Sequence, residues 1–100
     1  MMFEVHQLEG VDPIGRMFSR DVRIDVDEEG YSGAFSYEGV SVQSSLYATV
    51  EETLEDVAKK LQRKKFSAIR SRLNFREDRY YAEREAWTSY STAQGGTRAA

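Results

Sequence analysis

The only histidine in this chain, His6, stands two residues from Glu4, and in an extended strand residues i and i+2 share a face. A carboxylate so placed can hold an imidazole in one tautomer, as a general base requires. A lone histidine without a nucleophile-elbow sequence completes no Ser–His–Asp constellation. The expectation for His6 is therefore an exposed strand histidine near the N-terminus. An enzyme working on carboxylates alone, Glu4 with Asp25, is the catalytic alternative. No cleft-forming motif supports it, so no catalytic residue and no cofactor are assigned. Asp25-Val26-Asp27-Glu28-Glu29-Gly30 imitates the opening of a calcium loop, but Ser36 stands where that loop needs a bidentate glutamate. The flanks alternate like strands, so a solvated β-turn is expected and no metal site. Gly30 and Gly33 lead into a strand rather than a helix, which removes the phosphate-cradle reading.

The basic stretch carries a positive hypothesis. Lys59, Lys60, Arg63, Lys64, Lys65, Arg70, Arg72, Arg76 and Arg79 follow one another closely, with Tyr80, Tyr81 and Trp87 just behind. Clustered cations beside aromatic rings can contact phosphates and stack on unpaired bases. Lys59, Lys60, Arg63, Lys64, Lys65, Arg76, Arg79 and Tyr81 are the candidate contacts for a nucleic acid or a protein partner. The competing reading is structural, since lysines suit a helix C-terminus and Arg70 and Arg72 can pair with acids.

Charge is unevenly divided. Residues 1–58 hold 13 Asp/Glu against three arginines, a net of −10, whereas residues 59–100 hold 11 Lys/Arg against four acids, a net of +7. Such asymmetry suits a polar partner, a head-to-tail dimer, or two halves that neutralise each other. The total of −3 argues against strong nucleic-acid binding. The absence of cysteine removes disulfides, thiolate metal sites and cysteine nucleophiles. No apolar run approaches the roughly 18–20 residues of a membrane span, and the start is unlike a signal peptide. A cytoplasmic protein with no membrane contact is expected.

The elements that must position these residues follow from periodicity. Phe18, Val22, Ile24 and Val26 alternate with Asp21, Arg23 and Asp25, which predicts a strand. Asp27-Glu28-Glu29-Gly30 turns the chain, and Tyr31 to Tyr37 runs back with Tyr31, Phe35 and Tyr37 on one face. Val40, Val42 and Leu46 suggest a third antiparallel strand, and Phe3–Leu8 a shorter first one. Thr49-Val50-Glu51-Glu52 reads as a capping box. Val50, Leu54, Val57, Ala58 and Leu61 form one apolar stripe, with acids in the first turns and bases in the last. A helix over 49–64 follows. Residues 66–91 read as a hairpin with Phe75 opposite Tyr80, Leu73 opposite Ala82, Ile69 opposite Ala86, Arg72 opposite Glu83 and Arg70 opposite Glu85. The segment from Trp87 to Thr92 is also strand-like. The sum is an α+β fold, an antiparallel sheet of (β)βββ–α–ββ order on one amphipathic helix. One domain spans residues 1–92, and 93–100 form a flexible tail.

Gly30-Tyr31-Ser32-Gly33-Ala34-Phe35, Glu38-Gly39-Val40, Gln43-Ser44 and the run from Thr49 to Leu61 together resemble the N-terminal domain of HicB-type antitoxins. The resemblance covers about residues 21–64. It implies a partial double-stranded-RNA-binding-like ββ(β)α fold and a small non-enzymatic domain that holds a compact RNA-cleaving toxin. The prolines usual around the family's turn are absent near Gly39, and no ribbon–helix–helix or helix–turn–helix follows. The expected function is a non-catalytic binding module, HicB-like, with a protein partner that is toxin-like or a second copy. A homodimeric adaptor or chaperone, and a nucleic-acid binder acting through residues 59–79, are the alternatives.

Overall fold

The computed structural model describes residues 2–76, 79–81 and 85–90. Its elements are β1 (Met2–Val11), β2 (Met17–Asp27), β3 (Gly30–Tyr37), β4 (Val40–Gln43), α1 (Val50–Arg63), β5 (Ser67–Arg76), β6 (Arg79–Tyr80) and β7 (Thr88–Ser89). All pairings are antiparallel, in the order β4-β3-β2-β1-β5-β6, with β7 also on β5. The α+β architecture read from the sequence is therefore the observed one, a sheet of seven strands packed against one helix.

The local signals account for most of it. At the β2–β3 turn, Asp27 Oδ1 accepts from the backbone N–H groups of Glu29 and Gly30, and Gly30 takes φ +138°, a conformation that favours glycine. Thr49 is the N-cap of α1 and its Oγ1 accepts from Glu52 N–H at 3.1 Å. The returning arm of the box runs between the two side chains, Thr49 Oγ1 donating to Glu52 Oε1. At the other end Phe66 N–H reaches Leu61 C=O and Lys65 N–H reaches Gln62 C=O, a Schellman closure. Its left-handed position holds Lys65 at φ +77° rather than a glycine.

The stripe of α1 packs onto Phe18, Val22, Ile24, Phe35, Tyr37 and Val42 to form the core. Gly33 lets the helix approach: a Cβ there would lie 3.0 Å from Ile24 Cδ1 and 3.1 Å from Thr53 Cγ2. Phe66 meets Phe18 and Tyr37 edge to face at the helix's C-terminal end, and Phe18 and Tyr37 meet at a tilt. Below them Asp12 caps its own loop and takes Arg16 and the Tyr37 hydroxyl as partners.

Three expectations are corrected. β1 is ten residues long and central, paired with β2 on one side and β5 on the other. The β5 hairpin keeps its expected register beside the turn, with Phe75 opposite Tyr80. Further along, Arg70 faces Ser89 and Ser71 faces Thr88, so the Arg70–Glu85 and Ile69–Ala86 pairs do not form. Arg70 finds its carboxylate across the other edge, on Glu9 of β1 at 2.8 Å. Leu46 lies outside β4 and is exposed, since β4 ends at Gln43 and the chain turns toward the helix cap. The proposed partners Ala82 and Glu83, and the tail 93–100, lie outside the described residues.

Candidate functional site

The face of β1 that meets the core carries Glu4, His6, Leu8 and Gly10 in succession. Alternation puts all four under the helix side of the sheet. His6 is consequently buried, at 5 % exposure, not exposed as the sequence suggested. It accompanies Leu8 inward because the charge two residues away is satisfied there. His6 Nε2 lies 2.9 Å from Glu4 Oε1, and Arg76 donates from Nε to Glu4 Oε2 at 2.8 Å and from Nη2 to Oε1 at 3.2 Å. Burial pushes the Glu4 carboxyl up, but the hydrogen bonds from His6 and Arg76 outweigh it and hold its pKa below the ordinary value. An ionised carboxylate only accepts, so His6 Nε2 carries the proton toward Glu4.

This cluster lies under a cleft of about 390 Å³ between the first turns of α1 and strand β5. Val50, Leu54 and Leu73 give it apolar walls, and both charge signs line it, Glu51, Glu55 and Glu85 with Arg72 and Arg76, beside His6 and Tyr90. Tyr90 and Ser71 share a hydroxyl–hydroxyl bond of 2.8 Å. Burial raises the Tyr90 pKa; the Ser71 bond opposes this, and the Glu55 and Glu51 carboxylates add to it. His6 is engaged by Glu4 and Ser71 by Tyr90, so the imidazole and the hydroxyl are not bonded to one another. Among the described residues no three His, Cys, Asp or Glu side chains are grouped to hold a metal ion.

The same end of the molecule gathers further carboxylates. Tyr31 pairs with Tyr47 just before the helix cap, which sets the β2–β3 turn beside the start of α1. Glu28, Glu29, Glu51, Glu52 and Glu55 are all exposed there. Among the described residues none of the five forms an ion pair.

The basic stretch is divided by the fold. Lys59 and Lys60 lie in α1, and Arg63, Lys64 and Lys65 are exposed at its C-terminal end. Lys60 Nζ donates to the Gln43 carbonyl at 2.7 Å and pairs with Asp56 at 3.5 Å. Lys60, Arg63 and Lys64 border a shallow hollow against Ser41, Val42 and Gln43. Arg76 and Arg79 lie across the ten residues of β5, about 30 Å away at roughly 3.3 Å per residue. Arg76 belongs to the Glu4 cluster, Arg79 is exposed opposite it, and Tyr81 is half-buried with its N–H on the Asn74 carbonyl. The eight candidate contacts thus form two groups at opposite ends of the fold.

The sheet face away from the helix carries aromatic rings in contact with one another and with arginines. Phe3 stacks on Phe75 at 5.7 Å, Phe75 meets Tyr80 at 5.0 Å, and the Arg23 guanidinium lies 4.2 Å over Phe3. Arg70 and Arg72 lie over the Trp87 ring at 4.1 and 4.5 Å. Arg23 also pairs with Asp25 and Arg70 with Glu9.

The Glu4–His6–Arg76 cluster was only half visible in the sequence. The spacing of Glu4 and His6 was the signal; Arg76 joins them only because β5 returns beside β1. No helix among the described residues is long and apolar enough to cross a membrane. No family model matches the chain, and neither a curated protein nor a solved structure gives a significant match.

Proposed function

We propose that this chain is a non-catalytic binding module of the cytoplasm that docks a small basic protein on its acidic end. The observation that carries the reading is the group of five exposed carboxylates around the β2–β3 turn and the start of α1, none of them in an ion pair among the described residues, with Arg63, Lys64 and Lys65 at the far end of the helix. Separated charge of this kind steers association and fixes the orientation of a partner. A compact RNA-cleaving toxin held by a small domain is what the resemblance to HicB-type antitoxins implies, and such a partner has the required sign. The non-catalytic part is supported by the commitments of His6 to Glu4 and of Ser71 to Tyr90.

Co-expression with the product of the adjacent open reading frame, followed by size-exclusion chromatography across salt concentrations, tests this. The reading expects a basic neighbour that co-elutes, dissociates as salt rises, and is lost on Glu28→Lys with Glu29→Lys. Co-elution indifferent to both salt and charge reversal contradicts it, as does selective binding of RNA by the isolated chain. A second copy is the alternative occupant, because each molecule carries both signs at opposite ends. A doubled mass at low salt without any partner identifies that case.

A further inference from the structure

Strand β4 is an edge of the sheet, paired with β3 alone among the described strands. The Ser44 N–H donates to the Gly33 carbonyl at 2.9 Å. In an antiparallel ladder, residues that exchange such bonds alternate with residues that do not. Val42 and Val40 therefore turn their backbone groups toward β3, opposite Phe35 and Tyr37, while Ser41 and Gln43 turn theirs outward. The Gln43 carbonyl shows this directly, since it accepts from Lys60 Nζ at 2.7 Å. The Ser41 N–H and C=O and the Gln43 N–H are left on the open edge, a template for one more strand. Cations stand beside that edge. Lys60, Arg63 and Lys64 line a hollow with Ser41, Val42 and Gln43, and no carboxylate among the described residues lines it with them. Asp56 pairs with Lys60, and Glu38 of the β3–β4 turn with Arg16. Arg63 and Lys64 are exposed and form no ion pair among the described residues. The macrodipole accounts for cations in the last turn of α1, but not for an open strand edge beside them. Free backbone donors and acceptors select a polypeptide over a polyphosphate, and the cations select its sign. The acidic runs of this chain do not fit, because Asp27–Gly30 closes a hairpin and Glu51–Asp56 is helical. A folded second copy therefore offers no acidic run in extended form.

We propose that the β4 edge takes an extended acidic peptide as an added strand, its main chain on Ser41 and Gln43 and its alternate carboxylates against Arg63 and Lys64. The site is separate from the acidic end and stands whether or not a basic protein docks there. An N-acetylated, C-amidated Thr-Glu-Val-Glu-Thr peptide, titrated into the full chain and followed by NMR, is the direct probe. Its central residue pairs with Ser41, so both glutamates fall on the helix side of the sheet. Saturable shifts are expected at Ser41, Val42, Gln43 and Lys64, with slower hydrogen exchange at the Ser41 amide. Thr-Gln-Val-Gln-Thr should bind about two- to thirtyfold more weakly, the range for exposed ion pairs taken twice. Arg63→Gln with Lys64→Gln should weaken the acidic peptide over the same range. Methylating the central backbone nitrogen of the peptide keeps its charge and removes one edge hydrogen bond, which should weaken it about fivefold. Ser41→Pro removes the outward N–H while leaving the β3–β4 ladder its own bonds, and should have a similar effect. The fold of each variant is checked from its amide spectrum, and the methylated peptide makes the same test without altering the chain. Equal binding of the glutamine peptide, equal binding of the methylated peptide, shifts that never saturate, or an unaffected Arg63→Gln with Lys64→Gln variant overturns the proposal. Tighter binding of a single-stranded oligothymidylate at the same residues also overturns it, because the cations then serve phosphates and the edge takes no strand.

Discussion

Replacing Glu4 by glutamine keeps the shape of the buried cluster and removes its charge. Three hydrogen bonds change character: one from His6 at 2.9 Å and two from Arg76 at 2.8 and 3.2 Å. A bond to a charged group contributes about 1.5–3 kcal/mol and a neutral one about 0.5–1.5, so the gross loss is about 3 kcal/mol. Two effects reduce it. An amide costs less to bury than a carboxylate, and the Arg76 side chain, 41 % exposed, rehydrates when its partner weakens. A net loss of about 1–2 kcal/mol remains. With a urea m-value of about 1.5 kcal/mol/M for a domain of this size, the unfolding midpoint at neutral pH should fall by about 1 M. The pH dependence follows from the same ion pair. The folded-state pKa of Glu4 lies below its ordinary value of 4.5. The unfolded chain therefore takes up the proton first as pH falls, and the contribution is complete above that value and lost below it. Glu4→Gln should erase this part of the acid limb. An unchanged midpoint with an unchanged acid limb refutes an ionised Glu4.

Gly33→Val should destabilise by about 1–3 kcal/mol through overpacking, because the new side chain meets Ile24 and Thr53; thermal unfolding by circular dichroism measures it. Lys65→Gly should stabilise by about 1 kcal/mol, since the left-handed residue of the helix closure then carries no Cβ, and a higher urea midpoint shows this. Asp12 has its pKa lowered to about 2 from 3.8; burial raises it, but the hydrogen bonds from Arg16, Tyr37 and Ile14 prevail. Stability should therefore drop as pH falls from about 4 toward about 2, and Asp12→Asn should flatten that limb in acid titrations followed by near-ultraviolet circular dichroism.

Local signals carried far in this chain. The β2–β3 hairpin and α1 are read from alternation, a turn glycine, an N-cap and an apolar stripe, all of which act within a few residues. The sequence stopped being informative where distant segments decide. The sequence predicts a β1 that ends at Leu8, but Glu9, Gly10 and Val11 continue it by pairing with Ser19, Phe18 and Met17 of β2. Glu4 and His6 are buried within it where Arg76, seventy-two residues on from Glu4, joins them. The outer hairpin slipped because Arg70 chose Glu9 on the opposite edge of β5, a competition invisible from charge order along one hairpin. The basic stretch seemed a single patch for a similar reason: a continuous run in sequence crosses the turn at Lys65 and then runs the length of β5. The exposed carboxylates at the helix start, already assigned to the macrodipole, gained a second meaning only when the fold set the β2–β3 turn beside them.

Hydrogen exchange on the complex with the co-expressed neighbouring protein tests the central claim most directly. Protection concentrated at residues 27–30 and 50–55 is the result this account requires. Protection confined to residues 60–65, or to the aromatic face around Phe3, Phe75 and Trp87, would contradict it.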